Sequence, residues 1–519
     1  MNYSNFIDND NGDLLEEYSE YIDRINDAAY KDVYMLSNPS LSKNPYSGST
    51  LLSNLIQKKS IRSSKRLFIR SILAFYAKNI FYLIIWVIQF SYVKLFARGE
   101  NKMEINNNIV FIDTFFGKNQ IDESMDFNDA YFDGLYSILD KYKINYILLP
   151  NIFGSNSNLI DKFAILRYFS KINNSTITEF DILDSSDLYR MVKFIIRYPY
   201  RVNKLSKLVK NQNKIDELFL YDVVNTIGKT SFHAYVKYLF GAKLKLKYSG
   251  SQIKLISWCE NQAIDKNLYR GIRGKNIHIY GCQFFIKYPV CQSHYITDGE
   301  KKFGTTPDTI LVTGSYYVPE NSNHEYKIGP AFRYKSIFNS VKKESIHHNS
   351  GAILVMLSYI EKDSEKMIDL LKEDGQFKGR VIHLKIHPDH KQHKQKYEKY
   401  INMDKWKIIN NIDNIQSYSI VITSGSGTAM EFAAMGLSII ILATTTIVAN
   451  PMPDYGKGII WELANNSPSL ESAYRLLVNQ RNINKDKIFE HSRYYRKKFF
   501  SPVDDSIVMN NFGLKNFCG

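Results

Sequence analysis

Residues 418–436 read YSIVITSGSGTAMEFAAMG, and LSIIILAT follows directly at 437–444. The first stretch begins with an apolar, β-branched run, passes through a turn of small residues, and continues as a segment rich in Ala and Met. The second is another short apolar run. A strand, a turn, a helix and a second strand in this order predict two neighbouring strands that run in parallel, because antiparallel strands need no helix between them.

The same alternation extends in both directions along the chain. Before the turn, a strand is predicted in 351–360, a helix that begins with acidic residues in 361–373, and a strand leading into a loop in 379–390. A separate group of apolar runs lies nearer the N-terminus. These are NNIVFIDTFF (107–116, its strand ending at Asp113), NYILLPN (145–151), QIKLISWCEN (252–261), NIHIYGCQ (276–283) and DTILVTG (308–314). Buried strands separated by helices are typical of parallel sheets covered on both faces.

Two successive α/β blocks predict two Rossmann-like lobes facing across a central cleft, the arrangement known as GT-B. A length of 519 residues is too long for one compact core and agrees with this division. The predicted regions are an N-terminal helical region (1–104), a first, acceptor-side lobe (105–325), a second, donor-binding lobe (326–475) and a C-terminal helical tail (476–519). The tail is expected to pack back on the first lobe.

The net charge of +15 favours anionic partners such as nucleotide phosphates, anionic lipid or acidic glycans. Nucleic acid is not expected, because the cations are scattered and no zinc-finger or RNA-binding signature occurs. Four cysteines without CxxC pairing indicate reduced thiols and a cytoplasmic protein. The acidic, polar N-terminus does not resemble a signal peptide.

A basic run precedes the most apolar part of the chain. Its cations, with no acidic residue among them, are Lys58, Lys59, Arg62, Lys65, Arg66 and Arg70. The following segment, 71–99, is aromatic and apolar, with an uncharged core from Asn79 to Val93 that is shorter than the roughly 20 residues of a membrane span. This pattern predicts a helix on the cytoplasmic face of the membrane. The alternative is a buried helix with solvated flanking cations.

In open α/β sheets, ligands bind beyond the carboxyl ends of the strands. The turn after Thr423 leaves backbone N–H groups at the start of a helix, next to hydroxyls, which suits a phosphate. Its predicted donor-binding residues are Ser424, Gly425, Ser426, Gly427 and Thr428. Glu431, one turn into the helix, either caps it or reaches a ribose hydroxyl. The alternative is an ordinary capped turn.

A second predicted donor site is the segment LKIHPDH (384–390). Lys385 lies in the strand, His387 falls at its carboxyl end, and Pro388 stops it. A histidine in this place can donate to a phosphate or protonate a leaving phosphate. Ser358, which ends the strand GAILVML, completes the predicted donor set. The alternative is a loop histidine in a basic segment.

With these two motifs the second half resembles bacterial GT-B enzymes that use CMP-activated sugars: the sialyl-, polysialyl- and Kdo-transferases of surface-polysaccharide pathways. The resemblance implies that His387 and Pro388, together with Ser424, Ser426 and Thr428, hold the CMP moiety. The segment GPAFRY (329–334), with Arg333, also resembles the opening of the donor lobe in such proteins. The segments ISWCENQ (256–262) and YGCQFF (280–285) resemble surface carbohydrate biosynthesis proteins. The glycerophosphotransferases of teichoic-acid synthesis share the donor motifs.

An acceptor hydroxyl needs a base in order to attack an anomeric carbon. Glu260, just beyond the strand KLISW, and Asp113, at the end of the first strand, are the predicted bases. The segment Asp298–Glu300 has the composition of the acidic pair used by sialyltransferases, but its context indicates a polar surface loop. No metal and no cofactor are expected, because no DxD motif occurs in a suitable place.

The predicted function is transfer of an ulosonic-type sugar from a CMP donor to a surface polysaccharide or lipid-linked acceptor. The alternatives are a glycerophosphotransferase, a UDP- or GDP-sugar transferase, a nucleotide-sugar epimerase of the same fold, and a non-catalytic scaffold of a polysaccharide assembly complex. The intact His-Pro loop at 387–388 and the SGSGT turn at 424–428 argue against a scaffold, which has no need of them.

Overall fold

The computed structural model describes most of the chain. The described residues are 29–42, 65–97, 107–116, 129–152, 159–171, 176–206, 220–221, 223–227, 231–288, 292–339, 351–358, 360–373, 375–387, 394–401, 405–412, 415–443 and 450–517. Of the predicted features, the cations before Lys65 and the donor-site residue Pro388 lie outside these ranges.

The first lobe is built on a sheet of six parallel strands in the order β2-β1-β3-β4-β5-β6. The strands are β1 (Asn108–Phe116), β2 (Tyr146–Ile152), β3 (Gln252–Trp258), β4 (Ile277–Gln283), β5 (Thr309–Val312) and β6 (Glu325–Ile328). Strands β1 to β5 are buried over nearly all of their length, as expected for a parallel sheet covered by helices on both faces.

The helices of the first lobe surround this sheet. They are α1 (Val33–Leu36), α2 (Lys65–Phe96), α3 (Leu135–Lys141), α4 (Leu159–Phe169), α5 (Glu179–Ile182), α6 (Ser185–Ser206), α7 (Ser231–Lys247), α8 (Ala263–Ile272) and α9 (Asp298–Lys302). Helices α7 and α8 pack closely through a pair of glycines. A Cβ at Gly271 would lie 2.3 Å from the carbonyl oxygen of Tyr238, and one at Gly241 would lie 2.8 Å from that of Leu268. This contact fixes α8, whose start follows the predicted base Glu260.

The second lobe has its own sheet of six parallel strands, in the order β12-β11-β10-β7-β8-β9. The strands are β7 (Ala352–Met356), β8 (Ile382–Lys385), β9 (Trp406–Ile409), β10 (Tyr418–Thr423), β11 (Ser438–Leu442) and β12 (Trp461–Ala464). The helices between residues 336 and 434 are α10 (Ser336–Asn339), α11 (Glu361–Glu373), α12 (Gly375–Lys378), α13 (Lys394–Ile401) and α14 (Thr428–Ala434). The β10–turn–α14–β11 unit is the one predicted from residues 418–444.

The C-terminal part of the chain returns across both lobes in helices α15 (Ser467–Ile483), α16 (Lys485–Phe499) and α17 (Asp505–Asn511). Asn466 caps α15 by accepting a hydrogen bond of 2.9 Å from the backbone N–H of Ser469. Helix α16 packs on α14 in the second lobe. Beyond it, Val508 and Phe512 enter the hydrophobic core of the first lobe. The C-terminus therefore ties the two lobes together.

The GT-B architecture predicted from the sequence is confirmed: two Rossmann-like lobes of six parallel strands each, with an apolar N-terminal helix over Phe68–Phe96. Two predicted limits need correction. Strand β1 does not end at Asp113 but continues to Phe116, because Thr114 to Phe116 also pair with β2. The first sheet does not end before residue 326, because β6 pairs in parallel with β5 from Glu325 to Ile328.

Candidate functional site

The carboxyl ends of three strands meet at one edge of the second sheet. Strand β7 lies between β8 and β10, and Met356 is in register with Lys385 on one side and Thr423 on the other. Ser358 follows β7 by two residues and His387 follows β8 by two residues. The structure thus brings the predicted donor residues of three separate segments to the same edge.

The turn after β10 is stabilised by its own side chains. Gly425 has a φ of +83°, a conformation that favours glycine. The hydroxyl oxygens of Ser426 and Thr428 lie 2.9 Å apart in a hydrogen bond, and Ser426 Oγ accepts from the Thr428 backbone N–H at 3.3 Å. Helix α14 begins at Thr428. The predicted hydroxyls of Ser426 and Thr428 therefore hydrogen-bond within the turn at the start of α14.

The first lobe touches this turn directly. A Cβ added to Gly427 would lie 3.2 Å from the Cβ of Ile286 and 3.4 Å from the hydroxyl of Tyr288, in the loop that follows β4. Ile286 belongs to a hydrophobic core shared by the two lobes, which also contains Ile310 of β5 and Val421 of β10. Glycine at 427 thus permits the lobes to close against each other beside the donor turn.

Arg333 interacts electrostatically with acidic residues of the two lobes. Arg333 lies in a single 3-10 turn over Phe332–Tyr334, in the segment that connects β6 of the first sheet to β7 of the second. Loss of water around the guanidinium lowers its pKa, but the surrounding charges outweigh this effect and raise the pKa above its ordinary value. The acidic groups that raise it are Glu431 and Glu260, together with the hydroxyls of Tyr334 and Tyr131 once these lose their protons. Arg333 is therefore subject to the negative charge of Glu260 of the first lobe and of Glu431 of the second.

Glu431 is the acidic partner from the second lobe. Burial raises the pKa of its carboxyl to about 7, and the charge of Arg333 acts in the opposite direction. A carboxyl with this pKa exchanges protons near neutral pH. The sequence predicts a cap or a ribose contact at this position and carries no sign of the altered pKa, which depends on the tertiary packing around α14.

Glu260 lies just beyond β3 and is fixed from both sides. Its Oε1 accepts a hydrogen bond of 3.0 Å from Trp258 Nε1, and its Oε2 accepts one of 2.6 Å from Gln262 Nε2. Asn261 between them has a φ of +57°, a conformation uncommon outside glycine. The carboxylate is half-buried and acceptor-only when ionised, which suits a base that takes a proton from a bound hydroxyl.

Asp113, the other predicted base, lies in the interior of the first lobe. It is 1% exposed and accepts hydrogen bonds of 2.7 Å from both Ser257 Oγ and Asn151 Nδ2. Burial raises the pKa of its carboxyl, while Lys237 and the two hydrogen bonds lower it. Asp113 therefore holds β2 and β3 to β1 in the region behind the strand ends.

The segment Asp298–Glu300 is a short helix rather than a surface loop. Glu300 is fully buried and forms an ion pair of 2.7 Å with Lys266, which is also fully buried. It also accepts a hydrogen bond of 3.0 Å from the hydroxyl of Tyr30. The expectation of a polar surface loop is wrong for Glu300, because a lysine of α8 neutralises it in the interior.

The remaining predicted donor residues lie at the ends of β7 and β8. Ser358 Oγ accepts from the backbone N–H of Ile360 at 3.1 Å and so forms the turn into α11. Lys385 and His387 are half-buried at the end of β8. Within the described part of the chain, no three His, Cys, Asp or Glu side chains form a group suited to a metal ion.

No family model matches this sequence, and no curated protein matches it. Among solved structures, the chain is similar to MurG of Acinetobacter baumannii (9% identity, TM-score 0.42, covering 79% of this chain and 99% of MurG). It is also similar to the UDP-GlcNAc 2-epimerase of Neisseria meningitidis bound to UDP-GlcNAc (7%, 0.43, 78% and 99%). A third similar structure is a UDP-glucose:anthocyanidin 3-O-glucosyltransferase in complex with UDP (9%, 0.40, 79% and 98%). The fold assignment itself rests on the strand order and register of the two sheets.

Proposed function

We propose that this chain is a glycosyltransferase that moves a sugar from a nucleotide-activated donor to an acceptor hydroxyl in the cleft between its lobes. The observation that carries the proposal is Arg333, whose guanidinium interacts electrostatically with both Glu260 of the first lobe and Glu431 of the second. Such an arrangement offers a cation for the donor phosphate and a carboxylate for the acceptor. It also spans both lobes, as a reaction between two bound substrates requires.

In this proposal Glu260 takes the proton of the acceptor hydroxyl as its oxygen bonds to the anomeric carbon. The bond from that carbon to the phosphate oxygen breaks, and the nucleotide leaves with the electron pair. Arg333 and His387 stabilise the negative charge that develops on the leaving phosphate. The turn Ser424–Thr428 holds the nucleotide at the carboxyl edge of the second sheet.

The proposed donor is a CMP-linked ulosonic acid, such as a sialic-acid-like sugar or Kdo, and the proposed acceptor is a surface polysaccharide or lipid-linked glycan. The support is the pair of motifs at His387 and Ser424–Thr428, which the structure brings to one edge of the sheet. The alternative donors that would bind at the same edge of the sheet are UDP-sugars, GDP-sugars and a donor that delivers glycerophosphate. We propose that the reaction proceeds without a bound metal ion.

A thermal-shift panel of CMP, CDP, UDP and GDP on the full chain tests the donor. A ligand at about 100 times its dissociation constant stabilises the native state by roughly 2.7 kcal/mol. We expect CMP to give the largest shift and Arg333→Met to abolish it. A larger shift with CDP, UDP or GDP would identify a different nucleotide in the donor and would still agree with a transferase. No shift with any nucleotide, together with no transfer from any activated sugar, would favour the non-catalytic scaffold.

A further inference from the structure

Helix α2 is apolar on all sides but only one of its faces is covered. Over Phe68–Phe96 its length and composition are those of a membrane-crossing helix, and 17% of its most apolar stretch is buried. The buried positions form a single stripe along the helix. They are Phe75, Asn79, Trp86, Gln89, Val93 and, just beyond its end, Ala97. Their spacing of three, four or seven residues places them on one face.

The buried stripe, together with the adjacent Tyr92, packs on three successive helices of the first lobe. Phe75 stacks on Tyr198 of α6 with ring centroids 5.0 Å apart. Trp86 meets Phe180 of α5 at 5.5 Å. Near the C-terminal end, Tyr92 stacks on Phe163 of α4 at 4.4 Å. Helix α2 therefore packs along its length against the lobe. These contacts would have to break for the helix to cross a bilayer.

The opposite face of α2 exposes large apolar side chains. These are Ile69, Leu73, Ile80, Phe81, Ile84, Ile88, Leu95 and Phe96. From Lys65 to Phe96 the helix contains no acidic residue, and it has no cation between Lys78 and Lys94. An apolar face of this size is unusual on a soluble surface and marks a site of interaction.

Helix α6 carries a second exposed stripe. Its members are Tyr189, Val192, Ile196 and Tyr200, each three or four residues from the next. The hydroxyl of Tyr76 on α2 reaches the carbonyl oxygen of Ile196 at 3.4 Å, so the two helices meet beside this stripe.

Cations border the stripe on α6. The exposed ones are Arg190, Arg197 and Lys204. The single acidic residue of the helix, Asp187, is buried and paired with Arg190 and Lys243. Tyrosines and cations beside aliphatic side chains are typical of protein surfaces that sit at the lipid headgroup level.

We propose that α2 and the exposed stripe of α6 form a surface that inserts in the plane of an anionic phospholipid bilayer, without crossing it. The charge of both helices selects the occupant: the exposed charged side chains described on them are positive, which complements anionic headgroups, and the exposed aliphatic side chains suit the acyl boundary. The surface would hold the enzyme on the cytoplasmic face of the membrane. The inference is independent of the chemistry proposed for the cleft.

Depth measurement separates an in-plane helix from a span. Cysteines introduced singly by Leu73→Cys, Ile80→Cys and Ile88→Cys carry a fluorophore that is quenched by spin-labelled lipids at known depths. The background is the full chain with Cys291→Ser and Cys518→Ser, since Cys259 and Cys282 are buried. With vesicles of phosphatidylcholine and phosphatidylglycerol, we expect one shared shallow depth at all three positions.

A crossing helix gives a different result, because residues 73 and 88 would differ in depth by roughly 22 Å at 1.5 Å per residue. A graded depth of that size would overturn the in-plane arrangement. Absence of quenching at all three positions would overturn membrane insertion altogether.

Sedimentation with vesicles tests the surface by mutation. We expect Ile84→Glu combined with Ile88→Glu to weaken binding to phosphatidylglycerol vesicles by about tenfold or more, and pure phosphatidylcholine to bind about tenfold more weakly than the mixture. The matched control is Leu476→Glu with Ile483→Glu, two exposed apolar residues of α15 in the second lobe. Unchanged unfolding temperatures verify that both variants fold. Equal losses of vesicle binding in the two variants would overturn the proposal. So would a wild-type chain that does not bind vesicles but forms a dimer that Ile84→Glu dissociates.

Discussion

Trp258 Nε1 donates a hydrogen bond of 3.0 Å to Glu260 Oε1, which fixes the proposed base at the end of an inner strand of the first sheet. The indole is 1% exposed and packs against Tyr131 and Phe132. A rigid donor of this kind orients the carboxylate and leaves its remaining lone pairs for a bound acceptor. Orientation and basicity are therefore separable at this position.

Glu260→Gln keeps the shape of the side chain and removes its basicity. We expect the donor dissociation constant to stay within about threefold, while transfer falls by roughly 10²- to 10⁴-fold, the usual loss for a general base. Single-turnover transfer at saturating donor measures the second effect, and nucleotide titration measures the first. The comparison variant is Asp113→Asn.

Asp113 is buried among Ser257 and Asn151, so its substitution should act mainly on stability. We expect Asp113→Asn to lower the free energy of unfolding by about 1–3 kcal/mol, since it disturbs a buried hydrogen-bonded group. Transfer by the folded fraction should change much less than in Glu260→Gln. If transfer survives Glu260→Gln and is lost in folded Asp113→Asn, the base is Asp113.

The fold could be predicted from the sequence because its strands are apolar runs with clear turn residues. The misplaced limits have physical causes. Thr114 to Phe116 continue the apolar pattern of β1 without a turn residue, so the end of that strand is invisible in the sequence. Strand β6 reads EYKI and is only partly buried at the sheet edge, so it lacks the apolar run that identified the inner strands.

The candidate site could be predicted only in part. The residues at the ends of β8 and β10 can be located from the alternation of strands and helices in the sequence alone, because the carboxyl ends of parallel strands lie at the same edge of the sheet. The charge arrangement around Arg333 is different, since Glu260 and Glu431 are distant in the chain and meet it only through lobe packing. The pKa of Glu431 likewise depends on burial that no local pattern encodes.

His387→Ala tests the role of the strand end of β8. We expect turnover to fall by about 10²-fold or more if the imidazole stabilises the leaving phosphate, with a smaller effect on donor binding. His383→Ala is the matched control, because His383 lies on the same strand and its Nδ1 is 2.7 Å from the hydroxyl of Tyr418. Near-normal turnover in His387→Ala would remove this residue from the mechanism.

Gly427→Ala tests the contact between the lobes. The backbone of Gly427, with φ of −54° and ψ of −26°, accepts alanine without strain, so any effect comes from the added Cβ at 3.2 Å from Ile286. We expect the added Cβ to move the turn and Ile286 apart by a few tenths of an ångström, and turnover to fall by about threefold to tenfold. Gly379→Ala, where the added Cβ has no neighbour within 4 Å, should leave turnover unchanged. Equal turnover in the two variants would show that lobe contact at this turn is unimportant.

Glu431→Gln tests the altered proton affinity in the cleft. The pKa of Glu431 is raised from 4.5 to about 7, so the native state binds the proton more tightly than the unfolded chain does. The stability contributed by the protonated carboxyl is fully present below about pH 4.5 and is lost as the pH rises through 7. Above pH 7 the native state carries a poorly solvated carboxylate at a cost of at most about 3 kcal/mol.

Glutamine cannot ionise, so Glu431→Gln should stabilise the chain relative to the wild type at pH 8.5 and have little effect at pH 4.5. Denaturant unfolding of both proteins at the two pH values measures the difference. Because the Arg333 cation lowers the pKa of Glu431, Arg333→Met should move the loss of stability to higher pH. A stability difference between Glu431→Gln and the wild type that is the same at both pH values would contradict a raised pKa. In that case Glu431 would be ionised at neutral pH and act on the donor only as a fixed charge or a hydrogen-bond acceptor.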